Sequence, residues 1–494
     1  MKRFSWLVVL ALVAPVAAQK AAAQAGPDDL AKQAEQKVAA GDVEGALELL
    51  RRAAAMPNAS GEISLQLGRL LEGRVELGAA IAAFQAASDK LSGALKGEAL
   101  GRMSIAQEVR GMAQAAATAD AALQADPAGS WPLVAAARAR ARQGKGAESV
   151  PMAEKAKAAG GGAAAQAALG YAQEARGDLA AAEAAYRGAL ASESGDAIAS
   201  LGLARVLRRT KRASEAEALV QQVLAKAPGA VEAHKEMARI KLAQGNPDDA
   251  VGAAATAAAL AEDDADAQRL VQEVALAKAM ALVASGQFDL AIQELQAARD
   301  RSPDSASIRV GLAKALAGRR QADAAIVELQ KAVELEPRNA EALFQLGHVN
   351  HVLKGNAAAA VAAYERAVAA APANTEYRTA FGAALSDARQ FERAVVELGT
   401  VVRTPGYTKA DAWIQLGAAQ VTMRSYREAV PILEKAVSLA PQSPQAAAYL
   451  AWAYFGVKDV ANFKKNGAKA RSLGYKEPTL LDYLRRIEGG EPIK

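Results

Sequence analysis

The small and apolar residues of this chain return at fixed intervals. Counting from Ala163, Leu169 and Gly170 stand at positions 7 and 8, Gly177 and Asp178 at 15 and 16, and Ala182, Tyr186 and Ala189 at 20, 24 and 27. Two antiparallel helices joined by a tight turn satisfy this pattern. Small residues at 8, 20 and 27 let the helices approach closely. A large residue at 24 fills the space beside them, and glycine near 15 permits the turn. Where proline stands at 32, it stops the second helix.

The slots are refilled along most of the chain. From Gly61 they hold Leu67, Gly68, Ala80, Phe84 and Ala87; from Ala410 they hold Trp413, Leu416, Gly417, Ala429, Ala436 and Pro441. The copy from Ser130 keeps only Gly144 and Ala156. The copy near Ala340 carries one extra residue around Lys354 and Gly355. Between the copies starting at Val231 and Gln272, "AEDDADAQRL" adds about seven residues, close to two helical turns, so the helix can lengthen without losing its face. That insertion is also a place for the array to bend or divide. The terminal "TLLDYLRRIEGGEPIK" predicts a single helix with Leu480, Leu481, Tyr483, Leu484 and Ile487 on its buried side, because a stacked array must cover its last apolar face.

The pattern resembles the tetratricopeptide repeat, a helix–turn–helix unit of about 34 residues. Pentatricopeptide arrays, which read RNA, share the period, but Trp413, Leu416, Gly417 and the Ala–aromatic–Ala–Pro slots resemble the tetratricopeptide pattern. The resemblance implies an all-α fold: a right-handed superhelical solenoid of about thirteen units with a C-terminal capping helix. It also implies that positions 2, 5, 6, 9, 12 and 13 of each first helix line a concave groove. The expected organisation is a leader at 1–25, an N-terminal array at 26–270, a C-terminal array at 271–474, and a capping helix and tail at 475–494.

Composition agrees with helices packed close together. Of 494 residues, 52% are hydrophobic but only 4% aromatic, the balance being largely alanine, which favours helix and buries little area. The net charge of +5 is interspersed, unlike the basic footprint of a nucleic-acid binder. There is no cysteine, which excludes disulfides and thiolate chemistry.

The N-terminal "MKRFSWLVVLALVAPVAAQKAAAQAG" has a short basic region, an apolar run and small residues, the layout of a cleaved secretory signal peptide. Val16-Ala17-Ala18 and Ala23-Gln24-Ala25 are both candidate cleavage ends, the second preferred. The expectation is a periplasmic protein with no transmembrane segment after signal removal.

The groove can be read from the repeat positions. Its C-terminal part collects Phe344, His348, His351, Ile414, Gln415, Tyr449, Trp452 and Phe455, a concentration of rings in an aromatic-poor chain that suits a peptide or helix. The alternative is that some of these rings pack against the capping helix. The middle groove is charged: Glu232, Lys235, Glu236, Arg239 and Lys314. Just before it, Arg205, Arg208, Arg209, Lys211 and Arg212 read as a helix end whose cations suit its dipole, with an acidic partner as the alternative. The Lys/Asn clamp by which some repeats of this family hold a terminal carboxylate needs Asn at position 9, where this chain has Arg69, Tyr171, Arg239, Lys314, His348, Ala383, Ala418 and Trp452.

No P-loop, dinucleotide fingerprint, zinc-protease or serine-hydrolase motif occurs in the sequence. His348 and His351 share a helix face at i, i+3, but no acid at ligand spacing completes a metal site. The expectation is a scaffold without catalysis, metal or cofactor. Its partners would be proteins or peptides of the cell envelope, in an outer-membrane, secretion, motility or polysaccharide-export machine. The rivals are a receptor for polysaccharide or peptidoglycan and a passive spacer.

Overall fold

The structure, a computed structural model, describes residues 25–490. The predicted leader lies outside the described residues except for its last position, Ala25. Among the described residues the chain forms twenty-seven α-helices. Twenty-six pair off as thirteen helix–turn–helix repeats. Repeats 1 to 7 are Pro27–Ala39 with Val43–Ala54, Gly61–Gly73 with Leu77–Lys90, Gly93–Val109 with Ala115–Ala125, Ser130–Arg142 with Gly146–Ala158, Gly162–Ala175 with Leu179–Ser192, Ala197–Arg209 with Ala213–Lys226, and Val231–Ala243 with Pro247–Leu260. Repeats 8 to 13 are Ala265–Ala284 with Phe288–Arg301, Ala306–Gly318 with Ala322–Leu335, Ala340–His348 with Ala357–Ala370, Thr375–Asp387 with Phe391–Val402, Ala410–Thr422 with Tyr426–Leu439, and Pro444–Gly456 with Val460–Ser472. The last helix, Pro478–Glu488, stands alone and buries Leu480, Leu484 and Ile487.

The turn has one geometry whatever residue occupies it. Gly177 and Gly245 adopt φ of 83° and 79°, and Val75, Lys211, Arg320, Arg389, Arg424 and Lys458 hold the same slot at 59° to 63°. The backbone path is therefore imposed by docking of the two helices, because an L-residue resists this conformation. In some repeats the residue after the turn caps the second helix: Asp42 and Asp178 accept from Gly45 N and Ala181 N at 2.9 and 3.0 Å, while Glu76, Lys145 and Arg212 in the same slot make no such bond.

Positions 8 and 24 pack as their sizes require. A Cβ on Gly170 would lie 2.9 Å from the Tyr186 ring, and one on Gly417 would lie 2.3 Å from Leu433 Cγ. Position 24 is sealed: Tyr186 and Tyr364 are 1% exposed and Phe84 is fully buried. The degenerate repeat 4 keeps this fold with alanines, burying Val134 through Ala137 along one helix.

Both sequence irregularities are absorbed within helices. The first helix of repeat 8 has 20 residues where that of repeat 7 has 13, which accounts for the extra stretch. The extra residue in repeat 10 becomes a π-helical turn, Val349–Leu353, with Asn356 N donating to Asn350 O at 2.8 Å. The described residues divide into two compact units that meet between Val274 and Ala275, inside the long helix of repeat 8. No described helix is long and apolar enough to cross a membrane.

Candidate functional site

In the C-terminal unit the predicted groove residues fall into two ring clusters. In the first, Phe344 stacks on Tyr377 at 4.4 Å and leans on Tyr364 at 5.6 Å. His348 stacks against Phe344 at 6.3 Å and remains exposed on its other side. Partial burial of the imidazole, then the neighbouring His351, holds His348 below its ordinary value, so it is neutral at pH 7. His351 meets Asp387 of the next repeat at 2.7 Å. Among the described residues no group of three or more histidines or carboxylates could hold a metal ion.

The first cluster is framed by polar links between repeats. Lys314 pairs with Glu341 at 2.7 Å, and the Tyr377 hydroxyl donates to the same carboxylate at 2.8 Å. Gln345 also donates to Glu341, at 2.9 Å. Burial and the bond of Tyr377 to Glu341 push its hydroxyl up to about 12. Ile414 and Gln415 of repeat 12 are half-buried on the equivalent face.

The second cluster belongs to the end of the array. Trp452 and Phe455 pack on Tyr483 of the last helix at 5.7 and 5.1 Å, and Phe455 also meets Phe463 at 5.6 Å. Tyr449 packs beside Leu433 and Leu450. Trp452 and Phe455 thus pack on the capping helix, and with Tyr449 they stay half-buried, as Phe344, Ile414 and Gln415 do.

The N-terminal unit treats the same face differently. The arginine cluster predicted before the middle groove is paired: Arg205 and Arg209 bind Glu174 at 2.7 and 3.1 Å, Arg208 binds Glu236 at 2.7 Å, and Arg212 binds Glu183 and Glu215. These four guanidiniums are occupied by the chain's own carboxylates and form no free basic patch. Lys235, 1% exposed, joins Glu232, Asp264 and Asp266. Arg239 adds a pair to Asp266 at 2.8 Å. Most of these pairs join successive repeats.

Sequence reasoning missed what covers this face. The turn of repeat 2 inserts Val75 and Leu77, 2% and 4% exposed, into one apolar cluster with Leu201, Leu203 and Ile240 of repeats 6 and 7. Around them lie Ile198, Arg205 and Glu236, all at groove positions, leaving a gap of only about 80 Å³. Arg110 of repeat 3 closes onto Asp263 at 3.0 Å. The signal was present: valine occupies a turn slot that elsewhere holds glycine, arginine or lysine.

Family models described as tetratricopeptide repeat match residues 32–94, 174–230, 211–274, 282–346, 340–374 and 410–443. No curated protein matches the chain. Among solved structures, YrrB, "a TPR protein with an unusual peptide-binding site", is 19% identical over 39% of this chain and 97% of its own, with a TM-score of 0.35. The APC/C hetero-tetramer Cut9-Hcn1 is 12% identical over 93% and 96%, with a TM-score of 0.40. MamA is 22% identical over 33% and 94%, with a TM-score of 0.31.

Proposed function

Because the chain belongs to the tetratricopeptide repeat family, whose arrays are protein-binding and generally non-catalytic scaffolds, we propose that it is an exported adaptor of the bacterial cell envelope. It holds a segment of a partner protein on the first helices of repeats 10 to 12 during assembly of an envelope complex. The observation that carries this reading is the contrast between the units. Groove positions of repeats 6 and 7 are covered by the chain's own Val75 and Leu77, whereas Phe344, His348, Ile414 and Gln415 stay partly accessible. Export rests on the leader-like sequence at residues 1–25.

The rim of this face is acidic. Position 2 of repeats 11 and 12 holds Glu376 and Asp411, and Asp387 stands at position 13, whereas Glu341 at position 2 of repeat 10 is already paired with Lys314. A segment with an apolar stripe flanked by lysine or arginine complements it.

The test is photo-crosslinking in living cells with the reactive residue at position 348. The control is position 396, whose valine is 62% exposed on a second helix. Capture of an envelope protein from 348 and not from 396 is the expected result. Equal capture from both, no capture from 348, or retention of the full-length chain in the cytosol refutes the proposal.

A further inference from the structure

The turn of repeat 2 sits in the groove of repeats 6 and 7 as a partner's segment would. We propose that the first helices of repeats 6 and 7 form a second recognition surface, and that the turn of repeat 2 occupies it as an autoinhibitory plug. The partner it fits is a protein turn with two apolar side chains at i and i+2 and a basic residue nearby. This surface is separate from the site in repeats 10 to 12, so either reading stands or falls without the other.

The plug shows what the surface accepts. Val75 and Leu77 belong to repeat 2, yet the apolar core of repeats 1 to 3 does not include them. They are buried instead among Leu201, Leu203 and Ile240. Glu76 between them is held by Arg51 and Arg74 from its own end of the array, so the segment gives the groove alternate side chains. Around Val75 and Leu77 stand Ile198, Leu201 and Arg205 at positions 2, 5 and 9 of repeat 6, and Glu236 and Arg239 at positions 6 and 9 of repeat 7. These are the positions that line the concave groove of a tetratricopeptide array. Arg110 of repeat 3 supplies the basic contact, to Asp263 at 3.0 Å.

Two features make this seam the contact that opens. Its ion pair is weak, because the Asp263 side chain is 81% exposed and water screens such a pair. A cavity of about 400 Å³, lined by Leu77, Gly78, Arg110, Val231 and Leu260 among others, runs beside the plug, so the seam lacks the close packing of the helix pairs. Small rotations between successive repeats, summed from repeat 2 to repeat 7, part the seam while each helix pair stays intact. A partner's turn then takes the place of Val75 and Leu77.

The chain has no cysteine, so Leu201→Cys places a single thiol in the covered groove of the full chain. Its rate of modification by a maleimide reports how often the groove is open. Adding Val75→Asp with Leu77→Asp puts two charges into the apolar cluster and expels the plug; the thiol should then react about tenfold faster or more. Arg110→Glu leaves the turn intact and repels Asp263, so a rise of about threefold in that background tests the plug even where the double variant does not fold. A thiol at position 396, where the valine is 62% exposed, should react alike in every background, and circular dichroism verifies folding. The probe for recognition is the cyclic peptide Gly-Arg-Val-Glu-Leu-Gly, the sequence of residues 73–78. At about 1 mM, the range expected for two apolar anchors, it should slow modification in the opened variant, and the same ring with aspartate for valine and leucine should not. Equal rates at position 201 in all folded backgrounds overturn the proposal, as does an opened groove that the peptide leaves unprotected.

Discussion

Glu108 ties three repeats together, and replacing it with glutamine tests whether buried ion pairs hold the N-terminal unit. The carboxylate is 5% exposed. It accepts from Arg138 Nε at 2.9 Å and from the Tyr171 hydroxyl at 2.7 Å, and Arg142 approaches to 3.4 Å. Burial alone would raise its pKa, but Arg138, Tyr171 and Arg142 together hold it below the ordinary 4.5. Glutamine keeps the shape and removes the charge. Arg138, 6% exposed, then stays buried with its counter-charge gone. Breaking such a pair costs about 3–5 kcal/mol, so opening of repeats 3 and 4 should become roughly 10²- to 10⁴-fold more frequent.

Amide hydrogen exchange read by mass spectrometry on peptides from Gly93–Val109 and Ser130–Arg142 measures this in the full chain. The sign with pH follows from the depressed pKa. The contribution is fully present above the unfolded value of 4.5 and is lost as pH falls through the folded one, so wild type and variant should converge in acid. Glu108→Met with Arg138→Met removes both charges and should lie within about 1.5 kcal/mol of wild type. A single-variant effect below about 1 kcal/mol, or a double variant worse than the single, would refute the reasoning.

Arg389→Gly should stabilise repeat 11 by about 0.5–1 kcal/mol, because a left-handed arginine is strained and exposed there; local hydrogen exchange reads the gain. Val75→Gly changes the same slot with the opposite sign, a net loss on the order of 1 kcal/mol, since lost burial outweighs relieved strain; urea titration of the full chain should show an earlier transition. Gly417→Ala should cost about 1–3 kcal/mol by forcing Leu433 aside, and Leu433→Ala in the same chain should recover part of it in thermal melts. Glu72→Gln should stabilise the N-terminal unit at pH 7. The raised Glu72 pKa means its contribution is present below 4.5 and lost as pH rises through the folded value, so the variant's gain should vanish on acidification.

The sequence by itself determined the repeat. Helix pairs, the turn slot and the position 8–24 contact involve residues close in the chain, and side-chain size suffices to place them. Gly170 against Tyr186 was legible because no larger residue fits there. The lengthened helix of repeat 8 and the extra residue of repeat 10 were legible as counts. Tertiary structure decided which faces remain open. Val75 reaches repeats 6 and 7 because small rotations between neighbouring repeats accumulate along the unit, and no local pattern records their sum. The same accumulation brings Glu72 and Asp196 to the wall of one cavity, whereas Glu174 reaches Arg205 and Arg209 from the neighbouring repeat. It also decided the surroundings of the aromatic residues: Trp452, placed in the groove by its position, stays half-buried and packs on Tyr483 of the last helix, since a terminal repeat must cover apolar surface that an internal repeat shares with the next.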